Sequence, residues 1–205
     1  MKRLTAGLLG LALAAWGTAC TTAKGTGTEP DPVPAGPPAR FAGTALFTDD
    51  VTATTGNWTH RFEVEVTWVK VENPNPAPPA GTTRYVPSGR VHAIMRSYTD
   101  TGRCTVDRDG QFPITTTAVP QEPDDQRLDL GSDGRYQGKL YGSWRLDYVQ
   151  FCSNAAFQST TTLYMSLDIA GALNGGRMQG DMQPKVLTIP TLTSTRTGSW
   201  NFASN

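Results

Sequence analysis

The chain has 205 residues with 18 basic and 18 acidic side chains, so its formal net charge is zero; 38% of residues are hydrophobic, 9% aromatic and 18% charged. That is enough apolar material for one ordinary domain and excludes a disordered polyelectrolyte. Charge balance, with no basic run interleaved with aromatics, also argues against a nucleic-acid partner.

Lys2 and Arg3 are followed by an apolar run over 8–16, the small residues Gly17-Thr18-Ala19, and then Cys20. The run is far shorter than the roughly 20 residues of a membrane-spanning helix, and its flanks are those of a targeting segment. These residues resemble the signal of bacterial lipoproteins, in which small residues precede a Cys that is acylated and becomes the first residue of the mature chain. The resemblance implies a signal peptide over 1–19, lipidation of Cys20 (palmitate among the acyl chains) and membrane attachment through that N-terminal anchor. Thr21 stands where inner-membrane retention usually has Asp, which points to the outer membrane, with the body facing the periplasm or the cell surface. Gly17 occupies a position where the lipobox usually has Leu, which leaves plain secretion with cleavage after Ala19 as the alternative.

Cysteine parity runs the same way. Lipidating Cys20 leaves Cys104 and Cys152, an even number suited to an oxidising compartment, and a disulfide between them is expected. Chain-entropy arithmetic gives such a bridge about 4 kcal/mol. No Cys-x-x-Cys spacing suggests redox activity.

Residues 20–40 form the next unit, with five prolines and one branched apolar residue, Val33; such a segment cannot build a core and reads as an extended spacer. The body, 41–205, is read as a single domain. Phe62, Val64, Val66 and Trp68 alternate with Glu63, Glu65 and Thr67 in 61–71, the period of a half-buried strand. The same alternation is carried by Leu140, Trp144, Leu146 and Tyr148 in 139–151, and by Leu163, Met165, Leu167 and Ile169 in 161–169. Residues 90–98 form a further strand, and Gly198, Trp200 and Phe202 mark a last one.

Turn chemistry at Asp100-Thr101-Gly102, Asp109-Gly110, Ser132-Asp133-Gly134 and Asn174-Gly175-Gly176 predicts hairpins between short strands. Residues 154–159 could make a single helical turn. Residues 73–83, with four prolines, and 119–132, with Glu122, Asp124, Asp125 and Asp129, read as surface loops. The expected fold class is all-β: one antiparallel β-sandwich or closed β-barrel of about 8 to 10 strands.

Catalytic chemistry is poorly represented. The two histidines, His60 and His92, are too few for a zinc site without distant carboxylates, and no Gly-x-Ser-x-Gly elbow supports a triad built on His92. Glu63 and Glu65 share a strand face at a spacing resembling an inverting carboxylate pair, and Asp107-Arg108-Asp109-Gly110 resembles part of a calcium loop without its remaining ligands. Both read more simply as a solvated face and a turn. Tyr98, Tyr141, Phe151 and Tyr164 lie on faces opposite the main apolar alternations and are the candidate ligand or partner surface. The chain is therefore expected to be a lipid-anchored envelope module, binding or structural, without catalysis, metal or cofactor, whose partner is a protein or small molecule not named by the sequence. The alternatives are an envelope hydrolase using carboxylates and a β-barrel carrier of an apolar ligand.

Overall fold

A computed structural model describes residues 36–100, 102–114 and 126–205. The signal, Cys20 and most of the spacer lie outside the described residues, as do Thr101 and the acidic residues Glu122, Asp124 and Asp125. The body is all-β: β1 (Arg40–Ala53), β2 (Gly56–Lys70), β3 (Thr82–Thr99), β4 (Cys104–Pro113), β5 (Arg127–Gly131), β6 (Arg135–Phe151), β7 (Ala156–Ala172), β8 (Arg177–Ile189) and β9 (Leu192–Ser204). All pairings are antiparallel.

The strands form one sheet. From β8 it runs through β9, β1, β2 and β3, then to β6 and finally β7. Between β3 and β6 a single lane is shared by two strands: β5 pairs the first part of β3 (Thr82↔Gly131 to Tyr85↔Leu128), and β4 pairs its last part (Arg90↔Pro113 to Thr99↔Cys104). Strand direction then separates two ends of the body. Turns β1–β2, β3–β4, β6–β7 and β8–β9 make a hairpin end; the described chain enters at Gly36 and finishes at Asn205 at the other end.

The sheet is rolled, with one face inward. Even residues of β2 and odd residues of β7 point into a common core with Phe41, Phe47, Tyr85, Leu140, Trp144, Trp200 and Phe202. The rings Phe47, Phe62, Trp144 and Phe112 are linked by centroid separations of 5.9, 5.7 and 6.1 Å, a chain that crosses the interior from β1 and β2 to β6 and β4. Burying each such side chain contributes about 1.5–3 kcal/mol, and aromatic pairing adds a little more. The interior is thus packed with side chains.

The ends of the roll, β7 and β8, face each other without a backbone ladder, and side chains close the seam. Trp200 Nε1 donates to the Tyr136 hydroxyl (3.1 Å), which donates to the Gln179 carbonyl of β8 (3.1 Å). Tyr136 reaches β8 by crossing over β7 at Gly171, its register partner, where an added Cβ would lie 2.6 Å from the hydroxyl oxygen. Farther along, Lys185 of β8 meets Asp168 of β7 at 2.5 Å.

Arg84 and Asp129, opposite each other on β3 and β5, form a nearly buried two-pronged ion pair (2.8 and 3.0 Å), and Arg84 Nη1 also donates to the Pro76 carbonyl (2.7 Å). The proline-rich loop is thereby fastened over the shared lane. The bidentate fork suits Arg and satisfies most of its donors.

Several expectations change here. The strands are long, up to 18 residues for β3. Asp109-Gly110 is no turn: it lies inside β4, where Gly110 pairs with Ala93 and leaves room for the Phe112 ring. Residues 156–159 are not helical but open β7, because pairing with β6 overrides local preference. Of the loop expected over 119–132, residues 127–131 form β5, and Asp129 belongs to the ion pair rather than to an acidic cluster. Asn174-Gly175-Gly176 does turn, with the two glycines at φ 55° and 74°, but its flanking strands do not ladder. Cys104 and Cys152 are joined, with Cα atoms 3.9 Å apart. The bridge links neighbouring hairpins at the hairpin end, reinforced by Ser153 N–H donating to the Gly102 carbonyl.

Two expected outcomes follow from these contacts. Cys104→Ser and Cys152→Ser each cost about 2–4 kcal/mol in urea denaturation, and the double variant is no worse than either single because both remove one bond. Tyr136→Phe leaves the Trp200 N–H and the Gln179 carbonyl without this partner and costs about 1–3 kcal/mol by the same measurement.

Candidate functional site

Of the four aromatics singled out from sequence, two come together. Tyr98 of β3 is the register partner of Thr105 of β4, which is in turn the partner of Phe151 of β6. Their side chains therefore stand in one row on the outer face, next to the disulfide, with Phe151 60% exposed and Tyr98 38%. Val149, two residues before Phe151, extends the patch along β6. Tyr164 is exposed farther down β7. Tyr141 has to be withdrawn as a contact residue: it is only 1% exposed. Its N–H lies where β6 has run past β5 and diverged from β4, and the buried Gln126 side chain accepts from it (3.2 Å), which satisfies a group the ladder leaves over.

Sequence reasoning missed apolar residues on the neighbouring hairpins. Phe157, Val186, Leu187 and Ile189 are all exposed at the hairpin end. Among the described residues, the exposed large hydrophobics that lie elsewhere are Val69 and Tyr164. The signal was available only in part, because the exposure of Val186, Leu187 and Ile189 depends on β8 having a ladder partner on one side alone, β9, among the described residues.

The outer face of β2, β3 and β4 carries a charged strip beside an open groove of about 570 Å³ lined by Leu46, Arg61, Glu63, Arg90, His92 and Asn201, among others. At its centre His92 uses both ring nitrogens: Nε2 lies 2.9 Å from Asp109 and Nδ1 3.4 Å from Glu63. Glu63 also meets Arg61 at 2.8 Å, Glu65 meets Arg90 at 3.1 Å, and Asp107 meets Arg96 at 3.3 Å. The two glutamates do share a face, but each carboxylate is held by its own cation. Both ring nitrogens of His92 face carboxylates, and Asp107 and Asp109 are paired with Arg96 and His92. Among the described residues no group of three His, Cys, Asp or Glu is arranged to hold a metal ion.

The histidines are tuned in opposite directions. The hydrogen bond to Asp109, aided by Glu63, raises the His92 pKa above 6.5 against a smaller desolvation effect, and the same bond lowers that of Asp109. His60 lies on the inward side of β2 opposite Asp49, and burial lowers its pKa although Asp49 works against the shift. Asp49 itself accepts from Ser194 Oγ (2.6 Å) and Arg196 Nε (3.3 Å).

No protein-family model, no curated protein and no solved structure matches the chain.

The expected pH behaviour follows from these directions. The raised pKa of His92 makes its contribution complete below pH 6.5 and lost as pH rises through the folded value. The Asp109 contribution is complete above its unfolded value of 3.8 and lost as pH falls through the folded one. The pair therefore stabilises most between these limits, whereas His60, with a lowered pKa, loses stability as pH falls below 6.5. NMR titration of the imidazole protons checks this: His92 titrates above His60, and Asp109→Asn moves His92 downward while leaving His60 in place.

Proposed function

We propose that the chain is a lipid-anchored module of the bacterial outer membrane that performs no catalysis and holds a stapled β-body for binding or structural contact. Cys20 supplies the anchor in this reading, and the spacer after it lets the body stand off the bilayer. The observation that carries the contact role is the asymmetry of the body: the described chain enters at one end, and nearly all exposed large apolar side chains among the described residues gather at the opposite, hairpin end. Large apolar side chains exposed together at one end of a body are candidates for partner contact. The packed interior weighs against a carrier, which needs an open lumen, and the pairing of Glu63 and Glu65 with separate arginines weighs against a hydrolase that would use them together.

The anchor is tested by Cys20→Ala. Acyl chains contribute about 0.8 kcal/mol per buried CH₂, more than a body of zero net charge draws from anionic lipid. The expected result is a folded, disulfide-bonded protein recovered in the soluble fraction; a variant that still sediments with membranes after a salt wash would refute the anchor.

A further inference from the structure

The two strands at the seam treat their free edges differently. An unpaired edge is a template for another chain, and proteins commonly blunt it with Pro, Lys or a bulge. β8 carries these devices: Pro184, Lys185 and a register shift between Met182 and Lys185. The first part of β7 carries none of them. Residues 156–162, Ala-Phe-Gln-Ser-Thr-Thr-Thr, contain no charge and no proline and pair with β6 without a register shift. Ala156 to Thr160 are exposed on both faces, and among the described residues β7 pairs with no strand but β6.

We propose that this edge, Ala156–Thr162, is a strand-addition site whose occupant is the same edge of a second copy of the chain. The self-complementarity of the segment points to that occupant. Placed antiparallel with Ser159 on the two-fold axis, Phe157 stands opposite Thr161 of the second copy, Gln158 opposite Thr160, and Ala156 opposite Thr162. Phe157 with Thr161 is an aromatic and β-branched pair of the kind that stabilises neighbouring strands, and Gln158 with Thr160 matches amide to hydroxyl. No like charges meet within the paired segment. The two-fold arrangement closes on itself, so it yields a dimer and not a fibre. Strand addition of this kind satisfies main-chain groups that otherwise rely on water. The contact sits at the hairpin end and does not depend on the lipid anchor.

Sedimentation velocity on the full chain carrying Cys20→Ala, from micromolar to near-millimolar concentration, tests the pairing apart from the anchor. The expected result is a monomer–dimer equilibrium. Ser159→Lys, which sets two ammonium groups against each other on the axis, weakens the dimer by about tenfold or more, whereas Val186→Lys on the β8 edge leaves it unchanged. Ser159→Cys gives a cross-linked dimer on mild oxidation while Cys104–Cys152 stays intact, which reports the pairing even if the lysine variant folds poorly. A monomer at every concentration overturns the proposal. So does a dimer indifferent to Ser159→Lys, one lost with Val186→Lys, or the absence of a Ser159→Cys cross-link.

Discussion

The structure depends on closing a rolled sheet whose two ends do not pair. An open sheet of this length would leave its hydrophobic face half covered, and a fully laddered barrel would bury it without further help. Here β7 and β8 stand side by side, and closure passes to side chains: the Tyr136 hydroxyl between Trp200 and the β8 backbone, and Lys185 against Asp168. Gly171 makes the first of these possible, because any side chain there would occupy the path of the tyrosine. Core packing then does the rest, since the ring chain from Phe47 to Phe112 ties β2 to β6, between which no ladder runs among the described residues.

A second constraint comes from β4 and β5 occupying one lane. Neither strand covers β6 fully, so each end needs its own fastening. At the hairpin end the Cys104–Cys152 bridge and the single Thr105↔Phe151 pairing hold β4 to β6. At the other end the Arg84–Asp129 pair holds β5 to β3, with the Pro76 carbonyl taking a further guanidinium hydrogen. Between them Gln126 satisfies the Tyr141 amide. Tyr85 marks how dry this end is: burial pushes its phenol up to about 12, and its hydroxyl donates to the Pro38 carbonyl at the entry of the chain.

Glu63, Glu65, Asp107 and Asp109, the carboxylates that suggested acid–base or cation chemistry, are each matched to Arg or His across neighbouring strands, and His92 is held at both nitrogens. The His92 and Asp109 pKa values are shifted in opposite directions chiefly by the bond each makes with the other. The exposed large apolar side chains gather at the hairpin end: Tyr98, Val149 and Phe151 beside the bridge, Phe157 on the open edge of β7, and Val186, Leu187 and Ile189 on β8. That distribution supports the proposed contact role.

Alternation by itself determined the all-β class and the inward faces of β2, β6 and β7, because a period of two is a local property of a pleated strand that is buried on one side. The hairpin turns at Asp100 to Gly102 and Ser132 to Gly134 were equally legible, since glycine and aspartate in those positions encode local backbone geometry. Cysteine parity anticipated the Cys104–Cys152 bridge but not its place, because parity carries no distance. Asp109-Gly110 misled for the opposite reason: the pair has the chemistry of a turn, but Gly110 is needed where an aromatic ring passes over the strand. Only the tertiary structure decided that β7 and β8 face each other without a ladder, that Tyr141 is buried while Phe151 is not, and that His92 reaches two carboxylates. Each of these depends on which strands become neighbours, and neighbours far apart in the chain are chosen by packing of the whole sheet, which no local window of residues contains.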